Sequence, residues 1–153
     1  MFQAWRQTRG FTFLELVMTM VILSVVALFS APYARNLYVR SQLEDMATQA
    51  QEALQRAQAS SVGQRDRGRY SVRFQADRFV FFPGDTYHAN SLENETVLMP
   101  STVTVSWSLN GGGQQVSYYA GNGRTDQYGT VTFTSTYGGT IVIQVERTGL
   151  IYI

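Results

Sequence analysis

An uncharged apolar run from Leu16 to Ala31 most constrains how this chain of 153 residues folds. The run holds only Val, Met, Ile, Leu, Ala, Phe, Thr and Ser. Counted from Phe11 and built as a helix at ~1.5 Å per residue, the segment is roughly 30 Å long, about one bilayer core. The sequence therefore predicts a membrane-spanning helix over residues 11–32.

One acid, Glu15, lies at the start of this apolar segment, behind a leader that carries Arg6 and Arg9. A charged side chain inside a membrane span costs about 2.5–3.5 kcal/mol on insertion scales, so it usually has a partner and a task. A secretory signal peptide also has a positive start and an apolar core, but no Ala-x-Ala site follows before Pro32. A plain signal anchor explains the apolar span and leaves Glu15 unexplained.

The residues around Glu15 read Arg9-Gly10-Phe11-Thr12-Phe13-Leu14-Glu15-Leu16. This octet resembles the processing site of type IV pilins and type II secretion pseudopilins. The resemblance implies that a prepilin peptidase cuts between Gly10 and Phe11 and that Phe11 is then N-methylated. It also implies that Glu15 pairs with the N-terminal amine of a neighbouring subunit during assembly. Pro32 lies where this family often has a helix-kinking proline.

A second helical pattern follows the apolar segment and predicts an amphipathic helix over residues 33–62. Its narrow apolar stripe repeats at steps of three and four, which is the spacing of one helix face, and Gly63 is a stop signal. The stripe consists of Leu43, Met46, Ala47, Ala50, Ala53, Leu54 and Ala57. Either one helix of about 50 residues or two helices separated at Pro32 fits the pattern. Because alanine allows close approach, we expect this stripe to pack under a sheet.

From residue 63 to residue 153 the pattern changes to period two and predicts a β-rich extracytoplasmic head. Expected strands cover residues 70–74, 78–82, 95–99, 102–109, 115–119, 130–135, 140–147 and 150–153. Asn110-Gly111-Gly112-Gly113 is predicted to be a hairpin turn, with 102–109 and 115–119 as its two strands. The fold class is therefore α+β, with a long N-terminal helix whose second half packs against an antiparallel sheet or β-sandwich. Residues 1–10 form the leader.

The second half of the chain resembles the head of the minor pseudopilin class called GspH/FimT. The matching features are Tyr118 to Arg124, Gly129 to Phe133, Gly139 to Val145 and the turn Arg147-Thr148-Gly149-Leu150. Some relatives of this class resemble DNA receptors with a basic Gly-Arg-x-Arg ending. This chain has Gly149 to Ile153 there instead, so the resemblance does not extend to that ending.

Composition gives no support to an enzyme or a metalloprotein. The chain has no Cys, which excludes disulfides and thiolate metal sites, and its single histidine, His88, lies in a polar loop without a carboxylate cluster. The formal charge of +1 does not indicate a general nucleic-acid binder. No phosphate-binding loop is present, since Gly111-Gly112-Gly113 lacks the following Lys. We therefore expect no catalytic residues, no metal and no cofactor.

The one basic concentration consists of Arg65, Arg67, Arg69, Arg73 and Arg78, with Tyr70, Phe74 and Phe79 among them. Such surfaces can bind nucleic acid by charge and stacking. The favoured explanation of the cluster is a solvated loop with outward-facing strand residues, partly neutralised by Asp66 and Asp77.

These patterns predict a minor pilin or pseudopilin that helps to initiate or cap a type IV pilus or a type II secretion pseudopilus. By the resemblance, its partners are the prepilin peptidase and methyltransferase, other major and minor pilins, the assembly platform of the bacterial inner membrane, and lipid. The expected localisation is a single pass in that membrane with the head outside the cytoplasm. The alternative is a DNA-uptake minor pilin whose head binds DNA.

Overall fold

The computed structural model describes residues 10–63 and 68–153. The chain divides into two compact units, the first ending at Leu37 and the second covering Tyr38–Ile153. One helix, α1 (Phe13–Val62), contributes residues to both units, and eight strands follow it in the second.

In the first unit, the described apolar side chains of α1 are exposed. Every residue from 11 to 28 is exposed, and Leu14, Leu23 and Leu28 are each at least two-thirds accessible. Over the part of the chain that is described, no helix combines the length and apolar character needed to cross a membrane. The predicted span over residues 11–32 stays a prediction.

In the second unit, the predicted alanine stripe is the buried face of α1. Leu43, Ala47, Ala50, Leu54 and Ala57 are all at most 2% exposed and belong to one hydrophobic core with residues of both sheets. Small side chains on this face let the helix axis approach the sheets closely, which is why the stripe can be narrow. The single-helix interpretation is also confirmed, since α1 does not end at Pro32.

The first sheet, sheet A, contains β1 (Tyr70–Phe74), β2 (Arg78–Pro83), β3 (Glu95–Leu98) and β5 (Gln115–Tyr118) in the order β3-β2-β1-β5. All neighbours are antiparallel. Alternate residues of β1 and β2 belong to the main core, among them Val72, Phe74 and Phe79. The opposite positions Val80 and Phe82 are also buried, and Tyr87 packs edge-on against Phe82 at 5.4 Å between ring centroids.

The second sheet, sheet B, contains β4 (Val103–Leu109), β6 (Gly129–Ser135), β7 (Thr140–Val145) and β8 (Ile151–Tyr152) in the order β4-β6-β7-β8. Its neighbours are antiparallel throughout. The inward positions Val131, Phe133, Ile143 and Val145 complete the core. The α+β prediction is confirmed, and each predicted strand is present with bounds that differ by a few residues at most.

The predicted hairpin between β4 and β5 is wrong. β4 pairs with β6, and β5 pairs with β1, so the turn at 110–113 carries the chain from sheet B to sheet A. Gly111 and Gly112 do adopt positive φ angles of 85° and 69°, and the Gly112 amide donates to the Leu109 carbonyl. The turn chemistry was therefore recognised, but a turn does not determine which strands pair after it.

Polar contacts along α1 connect it to distant parts of the head. Thr102 donates to the Gln42 side chain at 2.8 Å, and Arg56 makes two hydrogen bonds to the Glu95 carboxylate at 2.5 and 2.7 Å. Near the helix end, the Ser61 hydroxyl accepts from the Tyr70 amide at 2.9 Å, and the Ser61 carbonyl accepts from the Gly121 amide at 2.9 Å. These contacts hold α1 against strand and loop residues from most of the head sequence.

Two of the segments that resemble the GspH/FimT class meet at the C-terminal end of α1. A Cβ atom added at Gly149 would collide with the Gly123 carbonyl oxygen and the Gln58 side-chain amide, and one added at Gly123 would lie 2.7 Å from Val62. Gly149 and Gly123 also have positive φ angles of 91° and 62°. The glycines of these two segments therefore allow the two loops to pack closely against the end of α1.

Replacing Gly149 by Ala should destabilise the head by about 3 kcal/mol, because the backbone conformation and the close packing both exclude a Cβ atom. Urea unfolding of the detergent-solubilised chain, followed by near-ultraviolet circular dichroism, measures this loss. The control is Gly138→Ala, which has a similar φ of 93° but no atom within 4 Å of the new Cβ. We expect about 1 kcal/mol for the control; equal losses would contradict the packing argument.

Candidate processing and assembly site

Gly10 is a glycine that the described fold does not require. Among the described residues, a Cβ atom added there would meet nothing within 4 Å. Gly10 is exposed, and the Phe11 side chain beside it is 80% accessible. Packing among the described residues therefore does not explain the glycine.

Thr12 caps the first turn of α1. Its hydroxyl oxygen accepts from the Glu15 amide at 3.3 Å, and its carbonyl accepts from the Leu16 amide at 3.2 Å, which is the first helical hydrogen bond. A threonine followed three residues later by a glutamate is the capping-box spacing. The sequence analysis included Thr12 in the processing motif but did not recognise this role, although the spacing could have indicated it.

Glu15 lies in the first turn of α1, with its carboxylate in solvent. Two other polar side chains of residues 13–28 are satisfied within the helix, since Thr19 donates to the Leu16 carbonyl and Ser24 to the Met20 carbonyl, both at 2.8 Å. Among the described residues, the Glu15 carboxylate has no ion pair or hydrogen bond. A carboxylate at this end of a helix is favoured by about 0.3–1 kcal/mol through the helix dipole, but its charge is otherwise uncompensated.

The arginine cluster predicted from the sequence is not assembled into one basic surface by the described residues. Arg65 and Arg67 lie outside them. Arg69 makes an ion pair with Asp85 at 3.1 Å and stacks on the Tyr119 ring at 4.5 Å. Arg78 contacts Asp77 at 2.6 Å, and its hydrogen bonds hold the pKa of Asp77 below the usual value.

Arg73 differs from these two arginines because no carboxylate contacts it in the described part of the chain. Its guanidinium lies 4.9 Å from the centroid of the Tyr87 ring, and its buried Nε atom has no acceptor. The hydrogen-bonding pattern orients the Gln114 amide so that its oxygen accepts from an Arg73 Nη2 atom at 2.7 Å. Of the three predicted basic residues that the structure describes, Arg73 is therefore the one whose charge no described carboxylate compensates.

His88 is exposed in the loop between β2 and β3, and its carbonyl accepts from Ser91 and Asn94. Within residues 10–63 and 68–153, no group of three His, Cys, Asp or Glu side chains could hold a metal ion. The uncharged ending Gly149 to Ile153 forms the last turn and the short strand β8.

The N-terminal segment of the chain matches a known protein family. Residues 5–31 match the family described as the prokaryotic N-terminal methylation motif. The N-terminal segment is thus similar to that of proteins that carry this methylation motif.

The fold is similar to that of the type IV minor pilin FimU of Pseudomonas aeruginosa, with a TM-score of 0.57 at 18% sequence identity. The similarity covers 74% of this chain and 89% of the FimU chain. No curated protein matches the sequence significantly.

Replacing Thr12 by Val should accelerate hydrogen exchange at the Glu15 amide about fivefold, because losing a helix cap costs about 1 kcal/mol. Exchange in detergent micelles, followed by NMR, measures the change. Thr12→Ser keeps the hydroxyl and should retain wild-type protection. If the valine variant were as well protected as the wild type, the Thr12 hydroxyl would not be the cap.

Proposed function

We propose that this chain is a minor pilin or pseudopilin, a structural subunit that helps to initiate or cap a type IV pilus or a type II secretion pseudopilus. The observation that carries the proposal is the Glu15 carboxylate, which has no partner among the described residues and lies at the start of an exposed apolar helix. A charge in such a position is stabilised best by an opposite charge from another molecule. The prepilin motif supplies one, because cleavage after Gly10 creates an ammonium group on Phe11.

Processing is the first step of the proposed function. A prepilin peptidase cuts between Gly10 and Phe11 and methylates the new terminus, which stays positively charged. The described structure offers no obstacle, because Gly10 and Phe11 are exposed and precede the first residue of α1. Thr12 then starts the helix one residue after the new terminus, which fixes Glu15 in the first turn.

Assembly is the second step. The Phe11 ammonium of one subunit and the Glu15 carboxylate of its neighbour attract each other strongly in a low-dielectric environment, and an unpaired charge there is costly. One ion pair between subunits therefore satisfies both groups and sets the axial register. The apolar side chains of residues 11–28, which are exposed in the described structure, are buried by lipid before assembly and by helices of other pilins afterwards.

The proposal places the chain in the bacterial inner membrane before assembly, with the head outside the cytoplasm. The partners are the prepilin peptidase, other major and minor pilins and the inner-membrane assembly platform. It assigns the chain no catalytic activity. A pilus and a secretion pseudopilus are both compatible with the proposal, because they share the same N-terminal chemistry.

The alternative is a DNA-uptake minor pilin that binds DNA through its head. The carboxylates beside Arg69 and Arg78 weaken it, since paired arginines release few counterions from DNA. Arg73 is the one observation that favours it, and the cleft beside this residue is analysed below.

Mass spectrometry of the protein from cells with an active prepilin peptidase should show Phe11 with one methyl group as the N-terminus. The variant Gly10→Val should keep residues 1–10, because a β-branched side chain replaces the glycine at the cut. Gly138→Ala, a change in the head, serves as the control and should be cut normally. Recovery of wild-type protein that still carries residues 1–10 would refute the processing step.

Replacing Glu15 by Gln should reduce incorporation into sheared pili or pseudopili by about tenfold or more, since removing one partner of a buried ion pair costs about 3–5 kcal/mol. Quantitative immunoblotting of the sheared and membrane fractions measures incorporation. Glu44→Gln is the matched control on the same helix, where the carboxylate is exposed and contacts only Arg40 at 3.0 Å. Equal incorporation of the Glu15 variant and the wild type would remove the register role.

A further inference from the structure

A cleft of about 480 Å³ lies beside the glycine-rich turn that follows β4. It is lined by Arg73, Trp107, Gly112, Gly113, Gln114 and Gln115, none of which is acidic. Its volume is within the range of small-molecule sites, which is about 300–1,000 Å³. The lining combines one cation, one indole ring and several amide groups.

The charge in this cleft comes from Arg73. Five other arginines of the described chain contact a carboxylate, namely Arg40, Arg56, Arg69, Arg78 and Arg147. Arg73 instead contacts the Tyr87 ring and the Gln114 amide, and its Nε atom is buried without an acceptor. An anion that binds the other guanidinium nitrogens would compensate the charge that no described carboxylate compensates.

The turn beside Arg73 leaves the cleft open. Gly113 has no positive φ, and a Cβ atom added there would meet nothing within 4 Å. The lack of a side chain at this position is therefore required neither by the backbone nor by packing. It does keep this part of the cleft lining free of side-chain atoms.

We propose that this cleft binds one unpaired nucleotide unit, with its phosphate on Arg73 and its base against Trp107. A guanidinium matches the geometry of phosphate oxygens, and an indole provides a stacking surface for any base. The base must be unpaired, because a base inside a duplex has no free face for stacking. The inference goes beyond the assembly role proposed above and can fail while that role stands.

The nucleotide unit has two possible sources, a free nucleotide or a single strand of nucleic acid. Both present the same phosphate and base to the cleft. They are separated by titrating the protein with thymidine monophosphate and with an oligothymidylate, each at several salt concentrations. Equal affinity per nucleotide identifies the free nucleotide, whereas much tighter, salt-sensitive binding of the oligomer identifies the strand.

Trp107 fluorescence reports directly on the proposed contact. The chain has two tryptophans, so the full-length Trp5→Phe protein in detergent leaves Trp107 as the single indole. We expect the oligothymidylate or the mononucleotide to quench its emission. Inorganic phosphate should compete only weakly and should not quench.

Arg73→Gln should weaken binding by about tenfold, because it removes the charge from the cleft. The matched control is Arg124→Gln, since Arg124 is exposed and no carboxylate contacts it in the described structure. The control should change affinity less than about twofold. Gly113→Val keeps Arg73 but adds side-chain atoms to the cleft lining, so it should also weaken binding, and circular dichroism melting should show that all three variants are folded.

Four results would overturn the proposal. They are unchanged affinity of Arg73→Gln, an equal loss in Arg124→Gln, competition by inorganic phosphate as strong as by the nucleotide, and equal quenching by a fully paired duplex. The second result would mean general electrostatic attraction, and the last two would mean that the base does not stack on Trp107.

Discussion

The packing of the alanine stripe of α1 against both sheets is the constraint on which the rest of the head depends. Neither four-stranded sheet closes on itself, and the two are joined through one core that α1 completes. Ala47, Ala50 and Ala57 permit this because their side chains add little distance between helix and sheets. With no cysteine in the chain, noncovalent packing must supply the stability. The tight glycines at 123 and 149 follow from the same close approach.

The sequence predicted the elements of the head well and their arrangement less well. Alternation in segments such as 130–135 and the glycines between them define strand bounds, because side-chain direction and turn conformation are local properties. Strand pairing is not local. Asn110 to Gly113 has the composition of a hairpin turn, yet β4 pairs with β6 and β5 pairs with β1. The two strands that flank the turn therefore belong to different sheets.

In the candidate site, too, local features could be predicted from the sequence more readily than contacts between distant residues. Gly10, Phe11 and Glu15 remain a sequence prediction, which rests on their spacing within the segment that matches the methylation motif. The arginine cluster was harder to interpret, because the neutralising Asp85 and the stacking Tyr87 and Tyr119 lie beyond the cluster in sequence. Charges that are adjacent in a sequence do not reveal which of them form ion pairs in the fold. Arg69 and Arg78 each contact a carboxylate, whereas no described carboxylate contacts Arg73.

The contacts between α1 and the head also determine how the protein carries mechanical force. The Gln42, Arg56 and Ser61 contacts and the alanine stripe are spread along α1, so a pull along the helix axis would load them together, as in shear. Structures loaded in shear resist far larger forces than those peeled from one end. A subunit that is drawn out by its N-terminal helix would therefore bring its folded head with it.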